Sequence, residues 1–289
     1  EVVVSKDTPV SGYQTIGHDT ARTLIEAGGL TLIDVRSPRE FAVLGHVPGA
    51  WLIPVDVVVS AAAVLPAFDT PVLVYCEHGV RSAAASELLV AAGFTHVLNL
   101  AGGMASWTGP RAFGDGVVRG PSAWLLGNAD LLPQGRGRVL DLACGRGRHA
   151  LLMASAGFDV RAVDADASAI AFVTDMAAKL ALQVEAEVVD LETEPPPDLG
   201  RDRYDVVLAF NYLHRALMPA IRECLAPGGL LFYETFTRRQ AERGRPTNPA
   251  FLLEDGELKA LVAPLSVIVD QEGDIDGRWI ASVVAQRAK

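Results

Sequence analysis

Cys76 is the residue of this sequence whose surroundings most clearly indicate chemistry. It directly follows the apolar run Val72–Tyr75, and the loop 77–82 leads from it into a helix-like stretch. A loop this short before a helix N-terminus directs several backbone N–H groups towards the sulfur, which favours the thiolate and lowers the pKa of the thiol. The same amides form a concave nest for an anion or an anionic terminal sulfur. The sequence therefore predicts a reactive cysteine inside an anion-binding loop.

A glycine turn forms the second candidate site. The apolar run that begins at Val139 carries Asp141 near its carboxyl end, and Gly145 and Gly147 follow before a helix. The two glycines allow a tight turn and let a ligand approach the backbone, and the helix offers unpaired N–H groups at its positive end. The spacing up to Ala150 also fits the dinucleotide fingerprint G-x-G-x-x-A. The turn alone therefore leaves a nicotinamide dinucleotide and another nucleotide-like ligand open.

Polar residues end the strands that are predicted after this turn. Asp164 arrives 17 residues after Gly147, where a strand-end carboxylate can accept both hydroxyls of a ribose. Asp190 and Asn211 end the next two predicted strands. Because ligands of open α/β sheets bind outside the carboxyl ends of the strands, we expect these side chains to line one edge of a sheet.

Short strands and helices alternate along the chain and must position both sites, which predicts mostly parallel sheets with helices on their faces. We expect a first domain over residues 1–108, a Gly/Pro-rich linker over 109–121 and a second domain over 122–289 that ends in an antiparallel hairpin. The predicted helices lie near 18–28, 38–44, 55–65, 80–92, 122–132, 148–156 and 167–180. The predicted strands lie near 30–35, 51–53, 72–75, 97–100, 139–142, 159–163, 184–189, 204–210, 230–234, 265–270 and 278–285.

Length and composition narrow the classes of function. The 289 residues exceed the usual size of one domain. The net charge of −10 argues against nucleic acid as the main partner. No apolar run approaches the ~18–20 residues that span a bilayer, and the first residues lack the layout of a signal peptide. The three cysteines are too scattered for a disulfide framework or a Cys-based metal site, so we expect no metal and a reducing, cytoplasmic setting.

The first domain closely resembles the rhodanese (sulfurtransferase) family. The resemblance is carried, in order, by the segments 33–41, 45–50, 74–82 and 101–107. It implies that Cys76 is catalytic and carries a persulfide, and that Arg81 and the loop amides hold the charged sulfur. The other residues implied in this persulfide loop are Glu77, His78, Gly79, Val80 and Ser82. Related folds that hydrolyse phosphate place five residues between Cys and Arg, whereas this loop has four, which suits a single sulfur better than a phosphate.

The second domain resembles the class I S-adenosyl-L-methionine (SAM)-dependent methyltransferases, nearest to the tellurite-resistance and thiopurine-type group. The segments 139–150, 163–166, 204–214, 225–234 and 244–253 carry this resemblance, which implies a Rossmann-like fold. The implied SAM-binding residues are Asp141, Ala143, Gly145, Gly147, Asp164, Ala165, Asp190, Leu191 and Asn211. Asp164 would meet the ribose, and Asp190 with Leu191 the adenine. The implied pocket for the methyl acceptor is formed by Tyr212, His214, Tyr233 and Glu234.

Several residues also have a purely structural interpretation. Asp34 and Arg36 are expected to brace the first sheet and the Cys76 loop. His214 is either a base or part of the pocket wall. The arginine-rich stretch 238–245 is either a lid or a solvated loop. Packing is expected for Cys144 and Cys224, a structural role in a turn for His46, and a surface or capping position for His149.

The two resemblances together predict a bifunctional enzyme that takes a small-molecule sulfur donor and a small methyl acceptor. The fusion suggests that the acceptor contains sulfur or a heavier chalcogen. A redox-sensing or regulatory role of the rhodanese-like half is the alternative, with a methyltransferase that acts on an unrelated small metabolite. We expect neither nucleic acid nor a membrane among the partners.

Overall fold

The computed structural model describes residues 12–65, 67–113, 121–133 and 137–289. The chain forms two compact units, Glu1–Asp130 and Leu131–Lys289. The predicted linker lies largely outside the described residues. The helix Ala123–Gly127 belongs to the first unit, whereas the sequence places the second domain from residue 122 onwards. The domain bounds drawn from the sequence therefore stay a prediction.

The first unit is built on a parallel five-stranded sheet in the order β1-β5-β4-β2-β3. Its strands are β1 (Gln14–Ile16), β2 (Thr31–Asp34), β3 (Trp51–Leu52), β4 (Val72–Tyr75) and β5 (Val97–Leu100). Its α-helices are α1 (His18–Ala27), α2 (Pro38–Val43), α3 (Val58–Ala61), α4 (Val80–Ala91) and α5 (Ala123–Gly127). All four residues of the central strand β4 are buried, as expected for an apolar run between two strands. Tyr75 pairs with Asp34, so Cys76 and Arg36 leave the sheet at the same edge.

The second unit is built on a seven-stranded sheet in the order β11-β12-β10-β9-β6-β7-β8. Its strands are β6 (Arg138–Leu142), β7 (Asp159–Asp164), β8 (Val184–Val188), β9 (Tyr204–Phe210), β10 (Leu225–Phe236), β11 (Ser266–Ile275) and β12 (Arg278–Gln286). Its α-helices are α6 (Arg148–Ser155), α7 (Ala167–Lys179), α8 (Met218–Cys224) and α9 (Glu257–Val262). The strands β6 to β10 run parallel, and β12 is antiparallel to both β10 and β11. The strand order reverses beside β6, which is where ligands bind in doubly wound sheets.

Short 3₁₀ helices complete both units. They cover Val55–Val57, Ala62–Val64, Met104–Ser106, Ala129–Leu131, Arg215–Leu217, Arg238–Glu242 and Pro249–Phe251. None of the helices within the described ranges combines the length and the apolar character that a membrane span requires.

The predicted fold class is confirmed, including the Rossmann-like second sheet and its antiparallel hairpin. The predicted helix 55–65 is wrong in detail, because it is broken into two 3₁₀ turns around α3. This stretch is rich in valine, whose β-branched side chain restricts χ1 in a helix. The strand β1 escaped prediction because two of its three residues are exposed, which leaves only Ile16 as an apolar signal.

Candidate active sites

Cys76 lies directly after β4 and is buried. The backbone N–H of Gly79 donates a hydrogen bond to its Sγ at 3.1 Å. Burial raises the pKa of the Cys76 thiol, but the Ser82 hydroxyl, which donates to the carbonyl oxygen of Gly79 at 3.2 Å, and the backbone amides of Ser82, His78 and Gly79 outweigh it, so the pKa is lowered. The sulfur is therefore poised as a thiolate inside a nest of N–H donors.

This arrangement predicts how alkylation of Cys76 depends on pH. Because the thiol pKa is lowered from its ordinary value, the midpoint of iodoacetamide modification of Cys76 is expected below that of an unperturbed cysteine. The variant Ser82→Ala removes one donor to the thiolate, which raises the pKa and slows alkylation at neutral pH about tenfold, the worth of one hydrogen bond to a charged group. Mass spectrometry of the Cys76 peptide across a pH series measures both values. A wild-type midpoint at or above that of free cysteine contradicts this account of the loop.

The segment after β5 stabilises the Cys76 loop by donating hydrogen bonds to two carbonyl oxygens of the loop. The backbone N–H of Met104 donates to the carbonyl oxygen of Cys76, and that of Ala105 to Glu77, both at 2.8 Å. Gly103 permits this approach, since a Cβ at residue 103 would lie 2.3 Å from the Cys76 oxygen and 2.7 Å from the Glu77 oxygen. With their carbonyls fixed outwards, the loop peptides present their N–H groups to the sulfur.

Replacing Gly103 by alanine is expected to displace this loop. The collision, together with a φ of +60°, costs about 2–4 kcal/mol and lowers the rate of sulfur transfer at least about tenfold. Gly49→Ala is the matched control, because Gly49 has a φ of +83° but nothing lies within 4 Å of its added Cβ. Sulfur-transfer rates and the urea midpoint of activity loss measure both effects. Equal losses in the two variants would show that backbone strain, and not the collision, explains the result.

Arg36 braces the first sheet and the Cys76 loop, as expected from the sequence. Arg36 and Asp34 are both fully buried, and the guanidinium Nε and Nη2 donate to the Asp34 carboxylate at 2.8–3.1 Å. Its Nη1 donates to Glu77 Oε2 at 2.6 Å and its Nη2 to the carbonyl oxygen of Gly45 at 2.7 Å. The buried guanidinium of Arg36 therefore links Glu77, the residue after Cys76, to Asp34 at the end of β2.

Arg81 lies in the first turn of α4 and forms a two-pronged ion pair with Glu40 of α2. The distances are 2.5 Å from Nη2 to Oε1 and 2.8 Å from Nη1 to Oε2. The other predicted loop residues differ in exposure, because His78 and Val80 are exposed whereas Ser82 is buried. The contact with Glu40 has no signal in the sequence, since 41 residues separate the two partners.

In the second unit, Asp141 is buried near the end of β6. Its Oδ2 accepts the backbone N–H of Ala150, in the first turns of α6, at 3.0 Å. Burial raises the pKa of Asp141 to about 7, against the opposing effects of that hydrogen bond and of Arg148. A carboxylate held this way fixes the start of α6 against the sheet and places a negative charge beneath the glycine turn.

The two glycines of the turn have different surroundings. Gly147 has a φ of +74°, and a Cβ there would lie 2.7 Å from a methyl group of Val173, so its role is close packing against α7. Gly145 has a φ of +54° with nothing within 4 Å of a Cβ position, which leaves its backbone approachable. Ala143 also has a positive φ, 49°, a conformation that is uncommon without glycine. The open backbone at Gly145 fits a ligand that lies against the turn.

Asp164 ends β7 and bonds to the glycine turn. Its Oδ2 accepts the backbone N–H of Gly145 at 2.7 Å, and its Oδ1 accepts that of Asp166 at 2.9 Å. The neighbouring Ala165 is exposed. Asp190 is exposed beyond β8 and accepts the N–H of Glu192 at 2.9 Å, while Leu191 is buried.

Tyr212 and His214 follow β9, and each has a buried polar atom that a ligand could satisfy. Among the described residues of the second unit, Tyr212 Oη and His214 Nε2 are the buried side-chain polar atoms without a hydrogen-bond partner. Burial and the nearby carboxylates of Glu192, Asp190 and Asp164 raise the pKa of the Tyr212 hydroxyl. The structure therefore brings Tyr212 close to the predicted ribose and adenine residues. Glu192 was not predicted, and its exposed position in a loop gave no signal.

The other predicted residues at this end of the sheet, Asn211, Tyr233 and Glu234, form hydrogen bonds within the protein. Asn211 has a φ of 58°, and its backbone N–H donates to the carbonyl oxygen of Glu234 at 2.8 Å. Tyr233 is fully buried and donates from Oη to the carbonyl oxygen of Tyr212 at 2.9 Å. The carboxylate of Glu234 is also buried and accepts from the Ser282 hydroxyl at 3.1 Å. Tyr233 thus fixes the backbone that presents Tyr212.

One structural interpretation, that of His149, needs correction. His149 is neither a surface nor a cap residue, because it is buried with its ring 4.2 Å from that of Phe210. His149 lies on the side of α6 that packs against the sheet, and its place at the start of the helix gave no indication of this. In the arginine-rich stretch, Arg243 pairs with Asp274 at 2.7 Å, and both Arg239 and Arg243 lie over the ring of Trp279. These contacts link the stretch to β11 and β12, while seven of its eight residues stay exposed, so the structure does not decide between a lid and a solvated loop.

Comparison with known proteins assigns both units. The Rhodanese-like domain family matches residues 18–110, and a Methyltransferase domain family matches residues 120–260. The thiosulfate sulfurtransferase GlpE of Pseudomonas paraeruginosa is 36% identical over 33% of this chain and 84% of its own length. The probable adenylyltransferase/sulfurtransferase MoeZ of Mycobacterium tuberculosis is 45% identical over 37% of this chain, which spans only 27% of that relative.

Among solved structures, TehB from Haemophilus influenzae is similar at 21% identity with a TM-score of 0.45, over 53% of this chain and 58% of that one. The range matched by the Rhodanese-like domain family contains β4, the Cys76 loop and the segment after β5. The chain therefore belongs to the rhodanese family through residues 18–110, and its residues 120–260 match a methyltransferase domain family.

Proposed function

We propose that this chain is a bifunctional enzyme that transfers sulfane sulfur through Cys76 and a methyl group from SAM to a small sulfur- or chalcogen-containing acceptor. The observation that carries the proposal is the Cys76 thiol, which is buried, has a lowered pKa and accepts an N–H bond from Gly79 at 3.1 Å. An inert core cysteine has its pKa raised by burial, as Cys144 and Cys224 do here. The loop therefore favours the ionised, nucleophilic form of the Cys76 thiol.

The sulfur transfer needs two displacements at Cys76. With thiosulfate as donor, the Cys76 thiolate forms a bond to the outer sulfur, and the bond to the sulfonate breaks so that sulfite leaves with its electron pair. The resulting persulfide carries a negative terminal sulfur, which the N–H groups of the loop stabilise. An acceptor nucleophile then bonds to that terminal sulfur, and the Cys76 thiolate is released.

In the second unit, we assign the predicted residues to SAM by their positions. Asp164 and Asp190 supply acceptors for ribose hydroxyls and the adenine amino group, Leu191 supplies an apolar surface, and the open space at Gly145 lets SAM lie against the turn. When bound, SAM supplies an electrophilic methyl group on a sulfonium. The carboxylates at this edge favour that positive charge.

Tyr212 and His214 are assigned to the methyl acceptor. Both carry a buried polar atom that has no partner among the described residues, and such an atom is costly unless a ligand satisfies it. The raised pKa of Tyr212 keeps its hydroxyl a neutral donor near neutral pH. A hydrosulfide, thiolate or selenide is already a nucleophile there, so positioning and exclusion of water suffice.

Product analysis with methyl-labelled SAM tests this assignment. The purified chain is incubated with hydrosulfide, small thiols, selenite, tellurite and oxygen acceptors, and labelled products are identified by mass spectrometry. We expect label on sulfur or selenium. Label only on oxygen or nitrogen acceptors contradicts the proposed substrate class. Thiosulfate-to-cyanide sulfur transfer is measured in parallel, because a regulatory module would bind sulfur without turnover.

A further inference from the structure

The Cys76 loop contains one arginine, and this arginine is already engaged. Arg81 gives two hydrogen bonds to the two carboxylate oxygens of Glu40, at 2.5 and 2.8 Å. Paired, parallel N–H···O bonds of this kind are the strong form of an arginine–carboxylate contact. Both side chains are largely withdrawn from solvent, with 38% of Arg81 and 25% of Glu40 exposed.

Glu40 is itself held in place by the start of α2. Its Oε2 accepts the backbone N–H of Ser37 at 3.0 Å and the Ser37 hydroxyl at 2.7 Å, and its own N–H donates to Ser37 Oγ. This reciprocal capping box fixes the carboxylate independently of Arg81. Burial opposes ionisation, but the hydrogen bonds from Arg81, first, and from Ser37 lower the pKa of Glu40 to about 2. The pair therefore stays charged at any working pH.

Two further arginines of the first unit, Arg36 and Arg111, are also engaged. Arg36 is bound to Asp34 and Glu77. Arg111 donates to the backbone carbonyl oxygens of Leu44 and Trp107. The sulfur of Cys76 consequently meets mainly backbone N–H groups, while the charge of Arg81 acts on it from its place beside Glu40.

Sulfur donors differ in how much positive charge they need. Thiosulfate carries two negative charges, and its sulfonate oxygens remain outside the sulfur nest, where they call for a cation. A small alkyl persulfide brings only a terminal sulfur and a neutral tail, which backbone amides can accommodate. While Arg81 is paired with Glu40, its two best-aligned N–H donors are occupied and the carboxylate offsets its charge, which weakens its hold on a sulfonate.

We propose that Glu40 determines donor specificity at the Cys76 site, because by holding Arg81 it disfavours dianionic donors such as thiosulfate relative to small persulfides of low charge. The inference rests on the proposed sulfurtransferase function. With 2-hydroxyethyl hydropersulfide, the Cys76 thiolate bonds to the terminal sulfur and 2-hydroxyethanethiolate leaves, so Cys76 becomes a persulfide without any sulfonate to bind.

The test compares these two donors in single-turnover experiments on the full chain. The rate of persulfide formation on Cys76 is followed by mass spectrometry for wild type, Glu40→Gln, Arg81→Gln and the double variant. Glutamine is the other residue that closes a capping box, so Glu40→Gln keeps the start of α2 intact. Ser37→Ala is the matched control, because it weakens the same cap but leaves the carboxylate on Arg81.

Glu40→Gln is expected to raise the second-order rate constant for thiosulfate about three- to tenfold, the range for freeing a partly exposed charge, and that for the hydropersulfide less than about twofold. Adding Arg81→Gln cancels the gain, and Ser37→Ala leaves the donor ratio unchanged. Slower reaction with both donors in Glu40→Gln overturns the proposal and makes the ion pair a positioning element. Absence of persulfide in wild type with either donor overturns the sulfurtransferase function and this inference with it.

Discussion

The variant Cys76→Ser is expected to lose sulfur transfer from thiosulfate to cyanide by roughly a thousandfold or more, which is typical of removing a nucleophile. A serine hydroxyl at this position would receive the same N–H bonds, but its far higher pKa leaves it neutral, and it cannot form a persulfide. The loop contacts of Gly79, Met104 and Ala105 involve the backbone, so the fold of the loop is retained. The cyanide assay measures the loss as thiocyanate formed per minute.

The other two cysteines provide the controls for this result. Burial raises the pKa of Cys144, and it raises that of Cys224 to about 12, so neither thiol is a nucleophile near neutral pH. Cys144→Ser and Cys224→Ser are therefore expected to keep the transfer rate within about twofold, because their role is packing. Residual activity of Cys76→Ser above a tenth of wild type would place the sulfur on another group and refute the assignment.

The second large effect is expected from Asp164→Ala, which should weaken SAM binding about a hundredfold to a thousandfold, the loss of two hydrogen bonds to a charged group. The carboxylate does two things at once. It fixes the glycine turn through the N–H of Gly145 at 2.7 Å, and it ends β7, where we propose that the ribose hydroxyls bind. Titration calorimetry with SAM measures the change in Kd.

Asp159→Ala is the matched control for this prediction. Asp159 lies at the opposite end of the same strand, is 74% exposed, and pairs with Arg138 at 3.4 Å. A surface ion pair of this kind contributes little, so SAM affinity should stay within about twofold. A Kd for Asp164→Ala within threefold of wild type, in a chain that unfolds at the wild-type temperature, would remove Asp164 from the SAM site.

Strand ends and glycine turns could be predicted from the sequence because the signals are local. Val72–Tyr75 is an unbroken apolar run bounded by Pro71 and Cys76, and the structure has the strand at these bounds. Gly145 and Gly147 predicted a turn, and both have a positive φ. In parallel sheets, these local signals suffice to bring distant strand ends to one edge.

The contacts that tune the sites could not be predicted, because they join residues far apart in the chain. Glu40 reaches Arg81, and Arg36 reaches Glu77, each across 41 residues. Their charges could have been satisfied by solvent or by other partners, and no periodicity favours one choice. The burial of His149 was missed for a related reason, since its contact with Phe210 depends on how α6 packs on the sheet.

We propose in addition that the sulfur released at Cys76 becomes the atom that the second unit methylates. The direct measurement supplies the chain with thiosulfate, dithiothreitol and methyl-labelled SAM, and collects volatile products for gas chromatography. Dithiothreitol reduces the Cys76 persulfide to hydrosulfide and is itself oxidised to its cyclic disulfide. We predict labelled methanethiol from wild type and only the level seen without thiosulfate from Cys76→Ala. Equal methanethiol from the two proteins would contradict the link between the sites.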